Sequence, residues 1–254
     1  RWIAPCSSST SGCSKPRPPC RPYHRICRPV KPGSPPVPDL LALTQLPLFP
    51  LNTVLYPGGS LQLQIFEVRY LDLMGKCHKT GAPFGVVALT QGSEVRRADP
   101  DAPSGDGFAH EAFVDIGTLA TITEFSSPQP GLMVLRCTAG ERFRINQRSR
   151  MKHGLWVADV HTLPADVPTP VPPDLQLVSQ ALQNVIAQLQ VRGGELPAAL
   201  LPPHRLDDCG WVANRWCELL QLPPELKQSL MQLDNPLLRL ELVGDFLSRA
   251  GISG

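Results

Sequence analysis

The side chains best suited to chemistry in this sequence are His204, Asp207, Asp208 and Cys209, a histidine beside two carboxylates and a thiol. Such a set can bind a transition metal or move protons. It also stands directly before an apolar helical period. Paired acids there cap a helix and complement the positive end of its dipole, and that reading is preferred. His110-Glu111 begins like a zinc-protease motif, but Val114 occupies the place of the second histidine, so a surface pair is expected. Asp99, Asp101 and Asp106 have the look of a calcium loop until Pro103 falls where the third ligand should stand, which leaves a solvated loop. Gly75-Lys76 lacks the upstream glycine and the following hydroxyl of a nucleotide-phosphate loop, and no Gly-x-Ser-x-Gly elbow occurs. No catalytic residue, metal or cofactor is therefore assigned, and the chain is not expected to be an enzyme.

The basic run Arg142, Arg144, Arg148, Arg150 and Lys152 offers different chemistry, contact with phosphates. In a strand over 141–145, Phe143 and Ile145 face inward while Arg142 and Arg144 face outward. Nucleic-acid binding is the alternative this strip supports. No exposed aromatic residues interleave with it to stack bases, so a solvated face paired with acids of the later helices is preferred.

Charge is unevenly distributed. Residues 1–40 hold seven basic side chains against the single acid Asp39, or +6, so the rest of the chain carries −4 of the net +2. That argues against a general nucleic-acid binder. The same forty residues contain ten prolines, which remove the backbone donors that helices and sheets need. Residues 1–42 are expected to be a disordered Pro-, Arg- and Cys-rich tail. Its cysteines (Cys6, Cys13, Cys20, Cys27) recur every seven residues, but the prolines between them forbid a heptad helix. The other four (Cys77, Cys137, Cys209, Cys217) are scattered without a Cys-x-x-Cys pair, as small core residues in a reducing cytoplasm would be. No stretch of about 18 apolar residues is present, so no membrane association is expected.

The elements that position these residues follow from periodicity. Leu61, Leu63 and Ile65 alternate with polar residues after the turn Tyr56-Pro57-Gly58-Gly59, predicting a strand with one buried face. Pro47 and Pro50 predict an extended edge segment before it. From Glu67 to Lys79, Val68, Leu71, Met74 and Cys77 fall at helical spacing, closed by Gly81 and Pro83. Strands are predicted over 84–89, 117–125, 132–136, 141–145 and 156–161, with a turn at Thr138-Ala139-Gly140, another at Asn146-Gln147 and an exposed loop over 91–107. Four helices follow: one capped by Asp174 and stopped by Gly193-Gly194, one from Asp207 or Asp208, one opened by Pro223-Pro224, and one opened by Asn235-Pro236.

LPLFPLNTVLYPGG followed by IFEVRY resembles the opening of the Lon substrate-binding domain, the N-terminal module of the ATP-dependent protease Lon. GTLATITEF, GLMVLRCTAGERFRI and LWVADVHTLP are similar to that family's strands in order and spacing, and LQLPPELKQSLMQLDNPLLRLELVGDFL resembles its helical half. The resemblance implies an α+β fold, a PUA-like β-rich pseudo-barrel over 43–165 followed by a C-terminal helical bundle over 166–254. It implies the substrate-binding module standing alone, without ATPase or protease domains. The implied function is non-catalytic binding of unfolded or degron-like polypeptide, in cytoplasmic protein quality control. Such binding needs an apolar groove or an exposed strand edge, and Phe49, Leu51, Tyr56 and Phe84 are assigned to that surface. Aromatic residues in periodic segments are more often core, which is the competing reading of Phe49, Tyr56, Phe66 and Tyr70. Related PUA-like folds bind RNA, which keeps Arg142, Arg144, Arg148 and Arg150 as the alternative site. A third possibility is an adaptor docking on a separate ATP-dependent protease.

Overall fold

Five strands close into a ring. The computed structural model describes residues 41–95, 108–151, 153–191, 196 and 198–251, and the expectations for the tail, for Asp99, Asp101 and Asp106, for Lys152 and for Gly193-Gly194 lie outside them. In chain order, β1 (Ala42–Leu51), β2 (Ser60–Ile65), α1 (Val68–Thr80), β3 (Phe84–Gln91), β4 (Ala112–Phe113), β5 (Ile116–Gln129), β6 (Leu132–Arg150) and β7 (Trp156–Thr162) form the β-rich part. The ring runs β1-β7-β6-β5-β3 and returns to β1; β4 lies beyond β3, and β2 pairs with β6.

Closure depends on β1, which corrects its expected place at an edge. It lies antiparallel to β7 over Ala42–Leu48 and parallel to β3 over Leu48–Leu51. Pro47 is opposite Val157 and Pro50 opposite Val87. Because the strand exchanges one partner for the other, each proline meets one ladder and needs no donor on its far side. The exchange includes a bulge between Leu43 and Leu46, where Gln45 takes a φ of 54°.

Leu48, Val87, Leu119, Phe143 and Val160, one from each ring strand, share a buried cluster and fill the interior. Phe143 fits because Gly85 and Gly117 make room: a Cβ on either would come within 2.7 Å of its ring. A second cluster lies under α1, where Tyr70, Met74 and Cys77 cover Phe49, Leu63, Ile65 and Phe84. Gly81 takes the left-handed conformation at the end of α1, as expected (φ 67°).

The strands predicted over 132–136 and 141–145 are one strand. β6 continues through 138–140, and its register shifts against β5 and β7 are bulges. The first half pairs with β2 and β5, the second with β5 and β7, so the residues taken for turns are where the strand bends from one neighbour to the next.

Four helices complete the fold: α2 (Gln176–Val191), α3 (Cys209–Leu219), α4 (Pro224–Gln232) and α5 (Pro236–Arg249). Asp208 caps α3 by accepting from Trp211 N, and Asn235 caps α5 by accepting from Leu237 N and Leu238 N. Asp174 caps nothing; it lies in a short 3-10 turn, Pro173–Leu175, that leads into α2. The helices bury Leu182, Ile186, Val212, Trp216, Leu240 and Val243 together with Tyr56, Ala88 and Ile116 of the β-rich part.

Candidate functional site

The four residues assigned to a binding surface are core. Tyr56 and Phe84 are fully buried, and Phe49 and Leu51 nearly so. The ring of Phe49 lies 4.3 Å from that of Tyr70 and 6.3 Å from that of Phe84. The Tyr56 hydroxyl donates to Lys227 O at 2.6 Å, and burial raises its pKa far above that of a free phenol. Phe49, Leu51 and Phe84 turned inward because the underside of α1 offered more apolar contact than water did, and Tyr56 because the C-terminal helices did. Phe66 is the exception, 55% exposed.

The turn beside Tyr56 is held by α3. Arg215 donates to Pro57 O at 3.0 Å, Gly58 O at 2.6 Å and Ala199 O at 3.2 Å, and pairs with Glu218 at 3.0 Å. Gly59 admits this clamp, since a Cβ there would sit 2.2 Å from Glu218 Oε1. Burial outweighs Arg215 and Lys227 at Glu218, pushing its pKa up to about 7.

His204, Asp207, Asp208 and Cys209 are not an acid-base or metal site. Asp208 is the cap of α3 and pairs with Arg205 at 2.7 Å; His204 Nε2 lies 2.9 Å from Leu200 O; the Cys209 thiol donates to Pro170 O. Burial raises the Cys209 pKa, and it pushes Cys137 and Cys217 up to about 12 and 11, so these thiols are poor nucleophiles. Among the described residues, no three His, Cys, Asp or Glu side chains gather in a way that could hold a metal.

The basic strip is divided. Arg142 faces away from the ring interior, as expected, yet the helices cover it. It donates to Met231 O, Leu233 O and Pro164 O and pairs with Asp234 at 3.1 Å and Asp166 at 3.7 Å. Arg148 lies over the Phe113 ring and pairs with Asp115, and Arg150 lies over Trp156; Arg144 is exposed. Among the described residues the strip is thus interrupted: Arg142 is buried, Arg148 and Arg150 lie against aromatic rings, and Arg144 stands apart from that set on the surface.

Glu111 is buried, which corrects its reading as half of a surface pair. It accepts from Trp156 Nε1 at 2.9 Å and from Arg69 at 3.2 Å. Arg69 in turn pairs with Glu67 at 2.9 Å and donates to Gly154 O at 3.1 Å. This buried guanidinium fastens the β2–α1 junction to the β6–β7 turn and to the start of β4.

Two concavities flank that junction. The larger, about 1150 Å³, lies between α1 and the adjoining ends of β1, β6 and β7. Val68, Leu73, Met151, Leu155 and Val157 give it an apolar lining, with Val68 81% and Met151 52% exposed. Lys76, Arg150 and His153 stand around it against Asp72. The smaller, about 250 Å³, lies along β2 beneath Phe66 and Val95 and is bounded by Glu67 and Glu94. Phe49 and Leu51, assigned to a binding surface and nearly fully buried, line the smaller hollow, and Arg150 of the basic strip lines the larger; Met151 and Val95 carried no signal in the sequence, and Val68 only a misleading one. Taken as part of the α1 stripe, it lies outside the buried series Tyr70, Met74, Cys77.

The arrangement matches known proteins. The family model described as the ATP-dependent protease La (LON) substrate-binding domain matches residues 45–249. A Lon protease from Paraburkholderia phytofirmans is 28% identical over 197 residues, covering 76% of this chain; the chain spans 23% of that relative's length. The crystal structure of a Lon N-terminal domain protein from Xanthomonas campestris is 31% identical, with a TM-score of 0.57 over 79% of this chain and 97% of that one. The N-terminal domain of a Mycobacterium avium complex Lon protease, 15% identical, shares the fold at a TM-score of 0.52, with 80% and 98% covered.

Proposed function

The chain belongs to the Lon substrate-binding domain family, and on that premise we propose that it binds unfolded or degron-like polypeptide without altering it chemically. The observation that carries this reading is the groove beside α1, where Val68 and Met151 remain largely exposed over an apolar lining. Exposed apolar side chains in a concave, partly charged frame hold extended segments by area rather than by a unique sequence. The setting proposed is cytoplasmic protein quality control, with delivery to a separate ATP-dependent protease as a further step.

The test is a titration of the purified chain with a fluorescent unfolded polypeptide, and separately with single-stranded RNA, at two salt concentrations. Saturable polypeptide binding that survives salt is expected, and Val68→Asp with Met151→Asp should weaken it about tenfold or more while the melting temperature stays put. Binding of RNA alone, falling steeply with salt, would overturn the reading. Binding of neither probe would also overturn it, and cofractionation with a protease would then point to an adaptor.

A further inference from the structure

Strand β2 ends the sheet: its first residues lie near the 3-10 turn Ala198–Leu200, but no further strand covers its outer edge among the described residues. Among the described residues it pairs only with β6, from Ser60 opposite Thr138 to Ile65 opposite Met133, without a register shift. No backbone hydrogen bond from Leu61 to Ile65 outside that ladder is found among them. An antiparallel edge leaves alternate N–H and C=O groups pointing outward, a template for another strand. Proteins normally blunt such an edge with a charge, a proline, a bulge or extreme shortness. The sequence SLQLQI carries no charge and no proline, and it is six residues long. At the opposite end of the sheet, β4 has only two residues.

Beside this edge lies the smaller concavity, floored by Phe49 and Tyr70, with Phe66 and Val95 still 55% and 45% exposed above it. Among the described residues, Glu67, which pairs with Arg69, and Glu94, which accepts from Asn52 N at 2.7 Å, are the charged residues that line it. Resting on the polypeptide-binding reading and naming its mode, we propose that the free edge of β2 accepts an extended polypeptide as an added strand. Its backbone pairs with Leu61–Ile65, one apolar side chain enters the concavity, and neighbouring Lys or Arg residues face the two carboxylates. Backbone pairing supplies affinity that any unfolded chain can provide, and the hollow and the carboxylates fix the register.

The experiment uses the full chain and a fluorescein-labelled ten-residue peptide alternating Val with Lys. Two twins carry N-methyl groups on every second residue, one on the odd and one on the even positions. An added strand turns only one of these sets of N–H groups toward the protein. One twin should therefore bind about tenfold or more weaker than the parent and the other within about threefold. Phe66→Ser with Val95→Ser should weaken the parent peptide while Arg144→Glu, exposed on β6 and lining neither hollow, leaves its affinity within about threefold. If the parent binds and both twins bind equally well, or both lose equally, the edge proposal is overturned while polypeptide binding stands. If neither the parent nor an unfolded polypeptide binds, the underlying reading fails as well. A concentration-dependent dimer abolished by Phe66→Ser would assign the edge to a second copy of the chain and overturn the proposal.

Discussion

The seam between ring and helices and the flank of α1 use polar and apolar residues in opposite ways. In the seam, the charges are buried and mostly paired, with Arg215 Nε and Glu218 Oε2 left without a hydrogen-bond partner among the described residues. Arg239 donates to Asp166, Asn214 Oδ1, Leu230 O and Leu233 O, Arg142 and Arg215 are equally engaged, and Gln228 reaches Ile116 O at 2.9 Å. On the α1 flank, Val68, Phe66 and Met151 are left in water around two hollows. A seam whose carbonyls and carboxylates are mostly answered from within has less to offer a ligand, whereas uncovered apolar surface is stabilised by whatever covers it. The most recognisable segment of the sequence, around Tyr56-Pro57-Gly58-Gly59, belongs to the seam and holds the fold.

The contrast can be broken most severely at Arg239. Arg239→Met leaves Asp166 with only the longer 3.7 Å pair to Arg142 and should cost about 3–5 kcal/mol in denaturant unfolding, with the fold lost or its melting temperature sharply lowered. Next comes Glu218, whose folded pKa of about 7 lies above its ordinary 4.5. Between those values the folded state holds a proton that the unfolded state has released. Stability should thus fall by about 2–3 kcal/mol as pH rises from 4.5 to 7.5, and Glu218→Gln should flatten that slope in melts across the range. Gly59→Ala should cost about 1–3 kcal/mol, because its Cβ meets the Tyr56 carbonyl as well as the movable Glu218 side chain. At the other extreme, Val68→Ser on the flank should change stability by less than about 0.5 kcal/mol while weakening polypeptide binding, which sharpens the contrast from its quiet side. A similar lack of effect on melting is expected for Arg144→Glu, against a clear loss for Arg142→Met.

Much of the fold could be read locally. The alternation in β2, the left-handed Gly81, and the caps Asp208 and Asn235 each depend on residues within a few positions of one another, and each stands where its local pattern placed it. The expected binding residues failed for a reason visible in Phe49 and Phe84. A ring at strand period is apolar whether it faces solvent or core, and only the arrival of α1 and the other ring strands decides which. Arg142 failed in the opposite direction: alternation gave its face correctly, but not the helices that cover that face.

Sequence by itself determined the family, the succession of a β-rich part and a helical part, the end of α1 and the starts of α3 and α5, because these are written in motifs and short-range periods. The tertiary structure decided that β1 closes the ring, that β6 runs unbroken through two apparent turns, that Arg142, Arg215 and Arg239 are internal, and that Val68 and the β2 edge are left uncovered by the described residues. Those outcomes depend on contacts between residues far apart in the chain, and exposure is what remains after every such contact has been made.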